Sequence, residues 1–398
     1  MLGAGRLHQR RADLHGWRQA RLFLGRHMIR VFGGPHRYLQ GPGALAELAA
    51  LVPMYGKRPF VVLDVALADT LRARLQAMLR DVVETIRFGV FSGECTAAGI
   101  DAMAQAAGAA QSDLVLGIGG GKAIDTAKGL RIIRGGALIV VPTVASNDAP
   151  TSRLVVLYRE DHALSEVRMM PTNPDAVVVD SAIIAAAPRR FFVAGIGDAL
   201  SKKFEVEQCE RAGGLNFYQA RPTALAVMIA DQCYRTLRAH ALDALEAVAR
   251  KTPNEALERV VEATILSSGL AFESGGLSIA HALTRGFSAI SALQGALHGE
   301  QVAFGLLVQL CLERRAPAFI AELKAFYRQA GLPVGLSGLG LVADKDQAIR
   351  TIAQRTVADA PYVQQFQTRV DAQQLAQAIA QADRGPADEP GHGPGTGR

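Results

Sequence analysis

The sequence predicts an α/β chain in two parts, a parallel sheet first and an all-helical domain after it. Three observations carry this expectation. From Met28 to about Pro188, short β-type runs alternate with helical stretches. Those runs are apolar almost without interruption, as expected of parallel strands covered on both faces. Past Pro188, long helical patterns take over and β-branched runs nearly disappear. At 398 residues the chain exceeds what one core usually supports, so two domains are expected.

The first strand is expected at Pro59 to Asp64 (PFVVLD), with a helix over residues 66 to 80. Asp113 to Ile118 (DLVLGI) is a second buried strand, followed by Gly119-Gly120-Gly121 and the helical stretch KAIDTAKGLRII. Ala137 to Val141 (ALIVV) is a third, ended by Pro142, and Ala176 to Asp180 (AVVVD) a fourth. Strand and helix in alternation give an open, Rossmann-like sheet. The expected division is a basic extension over 1–27, an α/β domain over 28–188, a helical domain over 189–383 and a Pro/Gly-rich tail over 384–398.

Composition narrows the function classes. Hydrophobic residues make up 49% and charged residues 20%, as in an ordinary globular protein, and the net charge of +6 is modest for this length. Much of that excess sits in the first 27 residues, which carry Arg6, Arg10, Arg11, Arg18, Arg21 and Arg26 against Asp13. Such a segment reads as an extension upstream of a natural start at Met28; the other reading is an Arg-rich targeting peptide. No apolar run reaches the length of a membrane span, so no membrane partner is expected. Nor does the charge call for nucleic acid. Cys95, Cys209, Cys233 and Cys311 are widely spaced and form no CxxC pair, which fits free thiols in a reducing cytoplasm.

Two places carry chemistry. The run Gly117-x-Gly119-Gly120-Gly121-Lys122 lies between a strand and a helix, where glycines admit a pyrophosphate and the helix N-terminus supplies free N–H groups. It is not a P-loop, because Ala123 follows the lysine. Asp64 ends its strand and either accepts bonds from ribose hydroxyls, favouring NAD over NADP, or caps the turn. The second place is scattered. Asp198 (GIGDAL) reads alone as the N-cap of a helix starting near Ala199. His281 (AHAL) and His298 (LHGE) fall on two apolar helices, where each alone would pack as an ordinary histidine. Two imidazoles and a carboxylate would suit Zn²⁺ or Fe²⁺ and leave a position open, but spacing fixes no shared face.

Taken in order, the motifs YLQGPGAL, FSGECT, IGGGKAIDTAKG, VPTVASNDAPTS, NPDAVVVD, VAGIGDAL and LHGEQVAFG resemble the glycerol dehydrogenase branch of the iron-containing alcohol dehydrogenases, from about Met28 to about Ala382. The resemblance implies the dehydroquinate synthase-like architecture of that family, NAD as cofactor and one divalent metal, zinc first and iron second. It implies that Asp198, His281 and His298 form one metal site, with His281 and Asp148 serving the reaction. The cofactor residues it implies are Asp64, Gly119, Gly120, Gly121, Lys122, Asp125, Thr143, Ser146, Ser152, Leu154 and Tyr158. Asp148, otherwise part of a plain Asn147-Asp148-Ala149-Pro150 turn, matches a residue that contacts substrate hydroxyls. The partners implied are a small-molecule alcohol and further copies of the chain, since relatives are commonly oligomers, some of them octamers. The chemistry implied is metal-assisted hydride transfer, glycerol to dihydroxyacetone.

The chain departs from that pattern twice. Thr284 and Arg285 stand where the glycerol enzymes usually carry His-Asn before Gly286. Lys202 lies four residues after Asp198, where other branches place a further histidine. Lys202 reads as an i,i+4 salt bridge or part of a solvated face. The alternative is that Lys202 and Arg285 together favour an anionic substrate, a hydroxycarboxylate or phosphorylated polyol. A third reading, of another class, is a non-catalytic protein that binds a dinucleotide, or nucleic acid through the basic arm.

Overall fold

A computed structural model describes residues 29–159 and 164–384. The expectations for the basic extension over 1–27 and for the tail beyond Arg384 lie outside the described residues. The strands are β1 (Arg37–Gly41), β2 (Pro59–Asp64), β3 (Arg87–Phe91), β4 (Leu114–Gly119), β5 (Ala137–Pro142), β6 (Leu154–Tyr158), β7 (Leu164–Met169) and β8 (Ala176–Asp180). Six of them form one parallel sheet in the order β1-β8-β5-β4-β2-β3, and β6 and β7 make an antiparallel hairpin.

The four strands read from the sequence are the central ones. β2 and β8 have the expected bounds; β5 runs one residue further, and β4 is displaced by one residue, starting at Leu114 instead of Asp113 and ending at Gly119, which still pairs with Pro142. Of the four the sequence did not announce, β6 and β7 form the separate hairpin, and β1 and β3 are the edges of the parallel sheet. Their sequences RYLQG and RFGVF mix exposed and half-buried positions and carry no continuous apolar run.

The central strands bury both faces. Val61, Leu63, Leu116 and Ile118 pack under α2 (Ala68–Leu79) with Leu71, Leu75 and Leu79, after the one-turn helix α1 (Leu48–Leu51). Phe60, Val62, Val115 and Val140 point the other way, onto α3 (Ala97–Ala109) and α4 (Gly121–Arg134). Each fully buried Val or Leu contributes up to about 1.5–3 kcal/mol from apolar burial.

From Ser181 onward the described residues are helical: α5 (Ser181–Ala186), α6 (Arg189–Arg211), α7 (Ala224–Arg250), α8 (Glu255–Glu262), α9 (Ser268–Gly275), α10 (Ile279–Phe287), α11 (His298–Leu312), α12 (Pro317–Ala330), α13 (Lys345–Asp359) and α14 (Ala372–Asp383). Between α8 and α9, Ala263–Ser267 winds as a π-turn.

Asp198 is no N-cap: α6 starts at Arg189, just after Pro188, and Asp198 lies in its interior. Gly195 and Gly197, which suggested a break before Asp198, are helical and serve close packing. A Cβ on Gly195 would lie 2.0 Å from the Ala145 carbonyl oxygen, and one on Gly197 would lie 2.6 Å from that of Gly299. In return, a Cβ on Gly299 would lie 1.8 Å from the Ala194 carbonyl oxygen. The helices α6 and α11 therefore meet backbone to backbone, and that contact brings Asp198 and His298 together.

Candidate active site

The sheet order places a binding crevice. From β2 the chain steps outward to β3 and then returns to the other side of β2 as β4, so β2 and β4 flank the switch point. Ligands of open α/β sheets sit beyond the strand ends at such a point. Asp64 ends β2 and Gly119 ends β4, so close together that a Cβ on Gly119 would meet the Asp64 Cβ at 2.8 Å. Both readings of Asp64 therefore have room: Oδ1 caps the next turn through the Ala66 N–H at 3.0 Å, and Oδ2 faces Gly119. Gly120 precedes α4 without a side-chain cap, which leaves the first N–H groups of the helix open.

The other candidate cofactor residues gather around this turn. The Thr143 N–H donates to the Gly119 carbonyl at 3.1 Å, and Gly121 approaches the Asn147 amide, next to half-buried Ser146. Lys122 pairs with Glu94 and stands 5.7 Å over the Tyr158 ring. The Tyr158 N–H donates to the Cys95 carbonyl at 2.8 Å, tying the hairpin to the FSGECT loop. Asp125 is of a different kind. It is buried, with Oδ1 3.1 Å from Lys128 Nζ and Oδ2 accepting the Val156 N–H at 3.0 Å. Lys128 Nζ in turn donates to the Leu154 carbonyl at 2.8 Å and lies 3.4 Å from the Ser152 hydroxyl. Asp125 and Lys128 thus hold in place β6, which carries Leu154 and Tyr158, together with Ser152 just before it.

The three candidate ligands, scattered in sequence, converge. One ligand atom from each of Asp198, His281 and His298 lies within 4.8 Å of the others, on α6, α10 and the first turn of α11. His281 Nε2 lies 3.1 Å and His298 Nε2 3.9 Å from Asp198 Oδ1. Asp198 is fully buried, whereas the His298 side chain keeps 46% of its surface open. A carboxylate and two imidazoles closing on one point, with one side open, fit a divalent cation.

Glu205 orients His281. It lies on α6 seven residues after Asp198, on the same side of the helix, and is buried. Its Oε2 is 2.5 Å from His281 Nδ1, while Oε1 accepts the backbone N–H groups of Ser278 and His281, each at 2.9 Å. Burial alone would raise the Glu205 pKa, but His281 and Lys202 more than offset it and hold the group ionised. An ionised carboxylate only accepts, so Nδ1 carries the proton and Nε2 is turned toward Asp198.

Lys202 settles one of the two departures from the motif pattern. Its salt bridge to Asp198, Nζ to Oδ1 at 2.5 Å, is the i,i+4 pair expected, but the residue is buried rather than on a solvated face. The same Nζ lies 3.2 Å from His281 Nε2 and 3.2 Å from Asp148 Oδ2. Burial would depress the Lys202 pKa, yet Asp148 and Asp198 raise it above its ordinary value. The two carboxylates respond differently. Burial pushes the Asp148 carboxyl up with Lys202 pulling back, while at Asp198 Lys202 and His281 win over burial and hold it below the carboxylate range. An ammonium at the centre of these side chains marks a place built for positive charge.

Asp148 reaches this cluster from the loop after β5. The Ser268 hydroxyl donates to its Oδ2 at 2.5 Å, and the Thr151 hydroxyl donates to the Ile265 carbonyl at 2.9 Å, inside the π-turn. The π-turn thus docks the loop that carries Asp148 on the helical half, and such turns are frequent at functional sites. Sequence reasoning missed Glu205 and Ser268. The spacing of seven from Asp198 could have found Glu205; Ser268 gave no signal.

Residues 35–181 match the family described as iron-containing alcohol dehydrogenase. The chain is 35% identical to a glycerol dehydrogenase of Escherichia coli, over 90% of this chain and 97% of that protein. It belongs to the iron-containing alcohol dehydrogenase family. It is also 36% identical to a glycolaldehyde reductase of Halobacterium salinarum, over 84% of this chain and 93% of that one. The crystal structure of a glycerol dehydrogenase from Schizosaccharomyces pombe superposes with a TM-score of 0.84 at 32% identity, covering 89% of this chain and 90% of that one. As a member of this family the chain is a metal-binding, NAD-dependent alcohol dehydrogenase that takes a small-molecule alcohol. No helix among the described residues is long and apolar enough to cross a membrane.

Proposed function

We propose that the chain oxidises glycerol or a related vicinal diol to the hydroxyketone, glycerol to dihydroxyacetone, with NAD as the hydride acceptor. The observation that carries this reading is the convergence of Asp198, His281 and His298 within 4.8 Å, with Asp148 beside them across the shared Lys202 ammonium. The names of the similar proteins from Escherichia coli and Schizosaccharomyces pombe support the same substrate.

In this reading Asp198, His281 and His298 hold the metal, zinc before iron on ligand preference alone. A bound divalent metal would supply Lewis acidity toward the substrate hydroxyl, whose proton would leave to solvent, and NAD would take the hydride. The protein's own groups position the reactants. Glu205 fixes the His281 ring through Nδ1. Asp148, steadied by Ser268, accepts a hydrogen bond from the neighbouring hydroxyl of the diol. Asp64 takes the ribose, and Gly119, Gly120, Gly121 and Lys122 the pyrophosphate, with Thr143, Ser146, Ser152, Leu154 and Tyr158 lining the rest. Asp125 acts through the hairpin it braces. The division at about Pro188 is read as two domains with the site between them. The protein is read as a cytoplasmic homo-oligomer; its four buried free cysteines suit a reducing compartment.

The test is reconstitution. Protein stripped with a chelator, then reloaded with zinc or with ferrous iron, is assayed for NADH formation from glycerol. Activity lost on stripping and restored by one of the two metals supports the reading. Turnover that survives complete stripping, or none with either metal, overturns it.

A further inference from the structure

Arg285 stands apart from the other cations around the site. Each of those has its carboxylate: Lys202 has Asp198 and Asp148, Lys122 has Glu94, Lys128 has Asp125, and Arg153 has Glu273. Arg285 is partly buried on α10, and among the described residues no carboxylate pairs with its guanidinium. Taking such a group partly out of water without a counter-charge is unfavourable, so its persistence asks for an anion from outside the chain.

Its placement says where that anion would sit. Arg285 follows His281 by one helical turn, so both occupy one face of α10. Side chains on a helix lean toward its N-terminus, which tilts Arg285 back over the turn that carries His281. Two phenols feel its charge, Tyr158 on the hairpin and Tyr362 in the turn Pro361–Gln365. Burial raises both to about 12, and Arg285 is the cation that pulls back on each. The helix α10 packs against the turn that carries Tyr362, so the guanidinium sits between that turn's phenol, whose charge it offsets, and a position one helical turn from the ligand His281. Lys202 cannot share the task, because its ammonium is already committed to two carboxylates.

We infer that Arg285 forms an anion subsite beside the reacting carbon, so that a hydroxy compound bearing a carboxylate is preferred over a neutral diol. This rests on the dehydrogenase reading above and ranks a carboxylate-bearing alcohol ahead of glycerol as the substrate of the same site. The planar fork of a guanidinium matches a carboxylate in a bidentate, charge-assisted pair. A carboxylate on the carbon next to the carbinol would lie within reach of a side chain one turn from His281. A small phosphate offers the same chemistry, and the assay separates the two.

The experiment uses the metal-loaded enzyme with Arg285→Gln and Arg285→Lys. Two readouts are taken: kcat/KM for glycerate, lactate and glycerol 1-phosphate relative to glycerol, and oxamate binding followed by the fluorescence of enzyme-bound NADH. For the wild type, an acid or the phosphate is expected to outperform glycerol. In Arg285→Gln that ratio should fall about ten- to hundredfold, with oxamate affinity falling alike and Arg285→Lys recovering part of both. A winning phosphate assigns the subsite to phosphate; a winning acid assigns it to carboxylate. A ratio unmoved within twofold overturns the inference, as does a rise in KM for NAD with selectivity intact. Oxamate binding needs no turnover, so Arg285-dependent binding without catalysis would sink the dehydrogenase reading and leave the subsite standing. Glycerol oxidation with no oxamate binding would do the reverse.

Discussion

Replacing Glu205 by Gln should disable the metal site without touching a ligand. The carboxylate is buried and accepts three hydrogen bonds, from His281 Nδ1 at 2.5 Å and from the backbone N–H groups of Ser278 and His281 at 2.9 Å. Glutamine has the same shape but only one acceptor. If its oxygen keeps the two backbone donors, its NH₂ faces Nδ1, and two donors then oppose each other. The ring must give up the Nδ1 proton and carry it on Nε2, the atom that faces Asp198 and would bind the metal. A hydrogen bond to a charged group is worth about 1.5–3 kcal/mol, which corresponds to roughly 10- to 150-fold in affinity. Changes in such outer carboxylates typically cost about 10- to 100-fold in metal affinity or activity. Zinc affinity measured by competition with a chromophoric chelator should therefore drop by one to two orders of magnitude, while circular dichroism stays that of the folded protein. An affinity within twofold of wild type would refute the assignment of Glu205 as the group that sets the His281 tautomer.

Other expected outcomes follow from single contacts. Gly299→Ala puts a methyl 1.8 Å from the Ala194 carbonyl oxygen, with backbone on both sides and no side chain able to yield. It should cost at least about 1–3 kcal/mol by thermal unfolding and lower metal content, because α11 must shift away from Asp198; an unchanged melting temperature would count against the contact. Asp64→Ala should raise KM for NAD and narrow the preference over NADP, as read from initial rates with each cofactor; an unaltered preference would reduce Asp64 to a turn cap. Burial pushes the thiols of Cys95 and Cys209 up to about 12 and that of Cys311 to about 11. A thiol reagent at pH 8 should thus label the native protein slowly and find all four cysteines only after denaturation; fast native labelling would contradict their burial.

The fold was legible where burial is complete. Central strands such as PFVVLD and AVVVD sit between two helical layers and must be apolar throughout, so the sequence announces them. The edge strands RYLQG and RFGVF face solvent in part and carry no such mark. Asp198 misled in an instructive way. Glycines before an Asp suggest the start of a helix, but Gly195 and Gly197 are there because other backbones pass within van der Waals distance. The candidate ligands could be named individually and not as a set, since their meeting depends on the packing of α6, α10 and α11 around contacts that no local pattern encodes. The motif resemblance bridged that gap. Lys202 shows the limit of surface habits: a lysine at i,i+4 to an aspartate looks like a solvated pair, and here it lies in the interior between two carboxylates.

The most direct test of the central claim pairs metal content with turnover in His281→Ala and His298→Ala. Each variant is purified, its bound zinc measured, and NADH formation from glycerol or glycerate followed beside the wild type. The account predicts an active wild type holding one divalent ion per chain, and two variants that lose metal and activity together. Variants that retain both at wild-type levels would contradict a site built from Asp198, His281 and His298.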